Sequence, residues 1–187
     1  MTTYTLQNGS VLMVVVLAGR RPDPEGRDDA RFPLSAAGAV RLRLRTLWAE
    51  LRPERLVCSA ACGADLLALD EAGRLGIKRT VVLPFSVKAF RRTSVTDRPG
   101  DWGPLYDRTV REVDQAGGLL ILDCAEGDAA FAAVTDRLVK EAFRAGRDVV
   151  AVAVWEGRGA DDGETGRLID LAMEQGGRVR EVSTLLA

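Results

Sequence analysis

Short apolar runs rich in β-branched residues alternate with helix-like segments, and this alternation constrains the fold more than any other feature. The run Val11–Ala18 is continuous and apolar, as is Val149–Trp155. Such runs are typical of strands buried on both faces of a parallel sheet. Further strands are predicted at Arg55–Ser59, Thr80–Leu83, Leu119–Leu122 and Arg178–Val182. The helices predicted between them cover Ser35–Arg52, Asp65–Leu75, Pro104–Ala116, Ala129–Ala145 and Thr165–Gln175.

This order of elements predicts an α/β fold: one Rossmann-like domain over residues 1–187. We expect a mainly parallel, doubly wound sheet of five or more strands with helices on both faces. Residues 1–10 are expected to form a flexible or edge segment. A chain of 187 residues with 47% hydrophobic and 28% charged residues fits one globular domain.

Charge and residue content exclude several classes of function. Lys and Arg number 26 against 27 Asp and Glu, which argues against a duplex-DNA binder because such proteins usually carry a basic excess. The chain has no His, and its three cysteines, Cys58, Cys62 and Cys124, lack zinc-site spacing. We therefore expect no metal site and no cofactor. No apolar run is long enough to span a bilayer, so no membrane association and a cytoplasmic location are expected.

The loop Ser59–Asp65 is the strongest candidate for a ligand site. Ligands of parallel sheets bind outside the carboxyl ends of the strands, and this loop follows a predicted strand and leads into a helix. Small residues and free N–H groups at a helix start favour a phosphate. The candidate residues are Ser59, Ala60, Cys62, Gly63 and Asp65. The alternative is a tight turn in which Asp65 caps the helix.

Three other strand-end segments carry candidates. Gly163, Thr165 and Gly166 lie where a glycine-rich loop leads into the last predicted helix. They offer a second phosphate loop, or else a solvated loop with a helix cap. Arg20 follows Gly19 at the end of the first strand, where a guanidinium can pair with a phosphate. Arg98 lies in a long loop with Arg91, Arg92 and Trp102. The alternative for these arginines is an exposed surface.

Read together, these segments resemble the SLOG superfamily, which includes the DNA-processing (DprA/Smf) proteins and the Lonely Guy cytokinin-activating enzymes. The resemblance is carried by Gly19-Arg20-Arg21-Pro22, Ser59-Ala60-Ala61-Cys62-Gly63-Ala64-Asp65, Leu83-Pro84-Phe85 with Phe90, and Gly163-Glu164-Thr165. It is closest to an uncharacterised bacterial branch and implies a Rossmann-like fold that binds nucleotides or nucleotide-derived ligands, including as a sensor. It also implies a homodimer.

The sequence departs from the Lonely Guy pattern at the position of the motif glutamate, where Leu168 stands. Glu164 and Asp161 are the remaining candidates for a catalytic carboxylate. The leading hypothesis is therefore binding of a nucleotide or nucleotide-derived small molecule. Two alternatives stay open: a hydrolase that cleaves the N-glycosidic bond of a nucleoside 5′-monophosphate, and a binder of single-stranded DNA.

Overall fold

The computed structural model describes residues 12–159 and 162–186. The predicted N-terminal segment 1–10 and Asp161 lie outside these residues. Six strands form one sheet: β1 (Met13–Gly19), β2 (Arg55–Cys58), β3 (Lys78–Leu83), β4 (Leu119–Ile121), β5 (Asp148–Trp155) and β6 (Arg178–Ser183). The helices are α1 (Ala37–Leu51), α2 (Ala64–Arg74), α3 (Val87–Ser94), α4 (Gly103–Gln115), α5 (Asp128–Ala145) and α6 (Gly163–Glu174), with a 3₁₀ turn at Leu34–Ala36.

The sheet is parallel throughout, with the strand order β4-β3-β2-β1-β5-β6. The chain builds outward from β1 to one edge through β4, and then returns to place β5 on the other side of β1. The β1–β5 pairing is the longest in register and runs from Met13 opposite Asp148 to Gly19 opposite Val154. The carboxyl ends of β1 and β5 therefore flank the point where the strand order reverses, where a doubly wound sheet opens a crevice.

Two apolar layers cover the sheet, one on each face. Helices α1, α2 and α4 pack with alternate strand residues such as Val15 and Leu17, while α5 and α6 pack with Val14 and Val16. This division follows from the period of two along a strand, which sends neighbouring side chains to opposite faces. The predicted single α/β domain with a parallel, doubly wound sheet is confirmed. Trp48 of α1 is buried in the first layer.

Some predicted boundaries were wrong. Helix α1 begins after a 3₁₀ turn, and the chain leaves it through Arg52, whose φ of 47° is left-handed. The long segment after β3 is predicted to be a functional loop with some helix, and it does contain a helix, α3, whose cap Ser86 accepts a hydrogen bond from the N–H of Ala89. Helix α6 begins at Gly163, two residues before the predicted start at Thr165. No helix within the described residues is both long and apolar enough to cross a membrane.

Candidate functional site

A cavity of about 380 Å³ opens at the carboxyl ends of the strands, and we call it the apolar cavity. Its apolar wall is formed by Leu17 of β1, Phe90 of α3, and Phe131, Val134 and Leu138 of α5. Phe131 is held in an edge-to-face contact with Phe85, with ring centroids 6.2 Å apart. An aromatic and aliphatic wall of this kind suits a flat, uncharged group.

Polar groups line the remainder of the apolar cavity. They come from four segments of the chain: the β2–α2 loop, α3, α5 and the start of α6. The residues are Ser59, Asp65, Thr93, Ser94, Thr135, Glu164 and Thr165. The sheet thus brings the two predicted ligand loops, Ser59–Asp65 and Gly163–Gly166, to one cavity, because parallel strands end at the same edge.

A second cavity of about 270 Å³ adjoins the first, and we call it the arginine cavity. Five guanidinium-bearing residues line it: Arg20, Arg21, Arg27, Arg31 and Arg98. Gly19, Arg21, Glu164 and Thr165 line both cavities, and these four residues form what we call the shared wall. Asp23 and Glu164 line the arginine cavity as well. The site therefore has one apolar part in direct contact with one part that is rich in arginines.

Carboxylates hold the arginines of this cavity in place. Arg20 donates two hydrogen bonds to Glu156, with Nε–Oε2 and Nη2–Oε1 distances of 2.8 and 3.0 Å, and Arg31 Nε lies 2.5 Å from Glu156 Oε1. Arg21 Nη1 donates to both carboxylate oxygens of Asp97 at 3.0 Å and to the carbonyl of Thr93 at 3.2 Å. An anionic ligand would compete with Glu156 and Asp97 for these arginines.

The backbone of the Ser59–Asp65 loop does not form the free phosphate cradle that its sequence predicts. The N–H of Ala61 donates to Asp65 Oδ2 at 3.2 Å, the N–H of Cys62 to the carbonyl of Ser94 at 3.0 Å, and that of Ala64 to the carbonyl of Arg20 at 3.2 Å. Ala60 and Cys62 are fully buried. Ser59 and Asp65 are thus the predicted residues of this loop that line the cavity.

Of the predicted phosphate-loop glycines, Gly63 and Gly166 have no room for a side chain, whereas Gly163 has open space around its Cβ position and a positive φ of 52°. Gly63 has φ +90°, and a Cβ there would lie 2.8 Å from Pro22 Cδ and 2.9 Å from the Arg20 carbonyl oxygen. Gly163 and Gly166 line a different cavity on the outer side of α6, and a Cβ on Gly166 would collide with Asp162. Of the predicted glycines, Gly19 lines the site, where it allows Ala64 and Val154 to approach.

The titratable groups near the loop differ in character. Burial raises the pKa of Asp65 to about 7, against the hydrogen bond from the Ala61 N–H and the charge of Arg21. Burial also raises the pKa of the Cys62 thiol to about 12, so this cysteine is not a nucleophile at neutral pH. Burial raises the pKa of Cys58 as well. Among the described residues, no cluster of three or more potential metal ligands is present.

Several residues that line the cavities are not among the ligand-site residues predicted from the sequence. Arg21, next to the predicted Arg20, is the arginine that reaches both cavities. Phe90, Thr93 and Ser94 come from α3, within the segment predicted to be a long functional loop. Phe131 and Thr135 are four apart on α5 and so lie on one helix face, a spacing that the sequence contains but that does not by itself distinguish a cavity wall from a core face.

Comparison with solved structures places this fold among known ones. DNA processing protein A from Helicobacter pylori, whose structure is described for a single-stranded DNA binding mode, shares 16% identity with the chain at a TM-score of 0.51. The match covers 91% of this chain and 65% of that one, so the chain spans less than two thirds of that protein. DNA processing protein A from Streptococcus pneumoniae matches with 17% identity, 91% and 59% coverage and a TM-score of 0.45.

A structural-genomics protein, TM1055, matches with 16% identity, 90% and 72% coverage and a TM-score of 0.47. No protein-family model matches the sequence, and no curated protein matches it either. The similarity to the Helicobacter pylori protein at this low identity is a similarity of fold. This similarity agrees with the Rossmann-like fold that the resemblance to the SLOG superfamily implies.

Proposed function

We propose that this protein binds a nucleotide or a nucleotide-derived small molecule, with the base in the apolar cavity and the phosphate in the arginine cavity. The observation that supports the proposal is the shared wall, which joins the apolar cavity directly to the arginine cavity with its five arginines. A nucleotide has the same division into a flat base and an anionic end. The combined space falls in the usual range for small-molecule sites.

The phosphate end is supported by three kinds of group. Arg21 projects from the shared wall, and guanidinium groups pair with phosphate oxygens through two parallel hydrogen bonds. Thr165, 5% exposed, adds a hydroxyl on the same wall. Thr165 lies in the first turn of α6, where the helix dipole favours negative charge.

Single-stranded DNA binding, the property described for the Helicobacter pylori protein, is a second candidate because of the shared fold. The charge distribution favours the small molecule. The net charge is -1, and Arg20, Arg21 and Arg31 are each paired with a carboxylate within the site. A strand-binding groove instead needs a continuous cationic track along the backbone of the nucleic acid.

Hydrolysis of an N-glycosidic bond is supported by one observation. Asp65 and Glu164 line the same cavity, and acid–base cleavage uses two such carboxyl groups. Glu164 Oε2 is buried without a hydrogen bond among the described residues, although Arg167 Nε lies 3.9 Å from it. Release of free base from nucleoside monophosphates, followed by chromatography, tests this activity.

Arg21→Ala tests the binding function. We expect this variant to bind nucleoside monophosphates about 10- to 100-fold more weakly by isothermal titration calorimetry, because a charged hydrogen bond contributes roughly 1.5 to 3 kcal/mol. Arg20→Ala is expected to weaken binding in the same direction. Arg92→Ala is the matched control, because Arg92 forms an exposed pair with Glu126. Unchanged affinity in Arg21→Ala would contradict the placement of the phosphate.

A further inference from the structure

The carboxyl group of Asp65 is buried, and the protein itself fills little of its capacity to accept hydrogen bonds. It lies in the first turn of α2, is 6% exposed and lines the apolar cavity. Within residues 12–159 and 162–186, the hydrogen bond from the Ala61 N–H to Oδ2 is the only one made by this side chain. A carboxyl group accepts about four hydrogen bonds, so most of its capacity faces the cavity.

The surroundings of Asp65 place it beside the shared wall. Its neighbour Ala64 packs on Gly19, where a Cβ would lie 2.5 Å from the Ala64 Cβ, and the Ala64 N–H donates to the carbonyl of Arg20. The charge of Arg21 acts on the Asp65 carboxyl. Both Gly19 and Arg21 belong to the shared wall, so Asp65 lies where the apolar cavity meets the arginine cavity.

In a nucleotide, the sugar lies between the base and the phosphate. A nucleotide that occupies both cavities therefore has its sugar at the shared wall, next to Asp65. We infer that Asp65 accepts hydrogen bonds from the 2′- and 3′-hydroxyls of a ribose and so selects ribonucleotides over deoxyribonucleotides. This inference rests on the proposed function and names the sugar of its ligand.

The selectivity has a simple physical origin. Above its pKa of about 7, the ionised Asp65 carboxyl offers acceptors only, and the cis hydroxyls of a ribose offer two donors at adjacent positions. A 2′-deoxynucleotide removes one donor and leaves a buried acceptor without a partner. A site that contains a buried polar group discriminates strongly against a ligand that fails to pair with it.

The experiment compares AMP with 2′-dAMP, and GMP with 2′-dGMP, by calorimetry on the full chain at a pH well above the Asp65 pKa of about 7. Wild type is expected to bind each ribonucleotide about 10- to 100-fold more tightly than its deoxy partner. Asp65→Asn keeps an oxygen for the Ala61 N–H but loses the charge and one acceptor. It should weaken ribonucleotide binding about 10-fold or more while changing deoxynucleotide binding less than about 3-fold.

Asp114→Asn, an exposed position on α4, is the matched control and should leave the preference unchanged. A 3′-deoxynucleotide gives a second measurement on wild type that needs no variant, and it should also bind more weakly than AMP. Equal binding of AMP and 2′-dAMP by wild type, or equal weakening of both by Asp65→Asn, overturns the inference while the proposed function stands. Binding of neither class by wild type refutes the proposed function, and the inference with it.

Discussion

Helix α2 carries two groups of buried carboxyls that differ in their hydrogen-bond and ion-pair partners. Asp65, in the first turn, receives one backbone hydrogen bond and faces a cavity. Asp70 and Glu71, further along the same helix, lie among arginines of α1, α2 and α4. Those arginines are Arg41, Arg45, Arg74 and Arg108. The difference separates a carboxyl that we propose binds a ligand from carboxyls that join helices.

The contacts of the second group are dense. Arg41 Nη1 bonds to both Asp70 and Glu71, at 2.6 Å for the latter, and Arg45 Nε lies 2.8 Å from Glu71 Oε2. Arg108 Nη2 reaches Asp70 Oδ1 at 2.8 Å from α4. Three helices on one face of the sheet are therefore tied to one pair of acidic residues.

The two groups respond to pH with opposite sign. Hydrogen bonds from Arg45 and Arg41 lower the pKa of Glu71, and arginines outweigh burial to lower that of Asp70. Asp70 and Glu71 therefore stabilise the folded protein at pH values above their pKa in the unfolded chain. This stabilisation is lost as the pH falls through their lower pKa in the folded protein. Asp65, with its pKa raised to about 7, is protonated in the folded state at acidic pH, so its contribution is lost as pH rises toward neutrality.

The largest expected effect comes from removing the arginines of the paired group. The double variant Arg41→Met with Arg45→Met leaves Glu71, 1% exposed at its side chain, with Arg74 at 3.8 Å. Loss of both hydrogen-bonded partners of a buried carboxylate should reduce the free energy of unfolding by about 3 to 5 kcal/mol in urea titrations at neutral pH. Arg92→Met, which breaks an exposed pair, should cost no more than about 1 kcal/mol. Equal losses in the two variants would show that burial does not distinguish these pairs.

The second effect has the opposite sign. Asp65→Asn cannot ionise, so its stability relative to wild type should rise between about pH 4 and pH 8. A pKa shift from 3.8 to about 7 corresponds to a change of roughly 3 to 4 kcal/mol in that difference. Urea titrations of both proteins across this range measure it, and the Asp70–Glu71 contribution cancels in the comparison. A constant difference across the range would contradict the elevated pKa of Asp65.

The sequence predicts the fold well because the fold follows from local periodicity. Runs such as Val149–Trp155 identify buried strands, and their alternation with helices implies a parallel sheet with its loops at one edge. The same logic brings Ser59 and Thr165 to one cavity. These inferences need no knowledge of which side chains touch.

What the sequence does not predict depends on partners that are distant along the chain. The N–H of Cys62 donates to the carbonyl of Ser94, and the N–H of Ala64 donates to the carbonyl of Arg20. These N–H groups of the expected phosphate cradle are therefore already hydrogen-bonded within the protein. Glu71 stands in a helix where a charged residue is normally exposed. It is buried because arginines arrive from α1, which no local pattern of α2 reveals.

The smallest expected effect concerns the turn that places Asp65. Gly63→Ala puts a Cβ at φ +90°, against Pro22 and the Arg20 carbonyl, and should cost roughly 2 to 3 kcal/mol of stability. Gly163→Ala, at φ +52° with open space around its Cβ, should cost about 1 kcal/mol. The two variants are compared in urea titrations.

The same turn should also affect binding. Because Gly63 immediately precedes α2, its substitution should weaken AMP binding by the folded protein. Arg41→Met with Arg45→Met, in contrast, should leave the affinity of its folded fraction within about 3-fold of wild type. If Gly63→Ala binds AMP as wild type does, the turn at Gly63 does not set the position of Asp65. If the arginine variant loses AMP binding while still folded, the two carboxyl groups of α2 are coupled and the division between them fails.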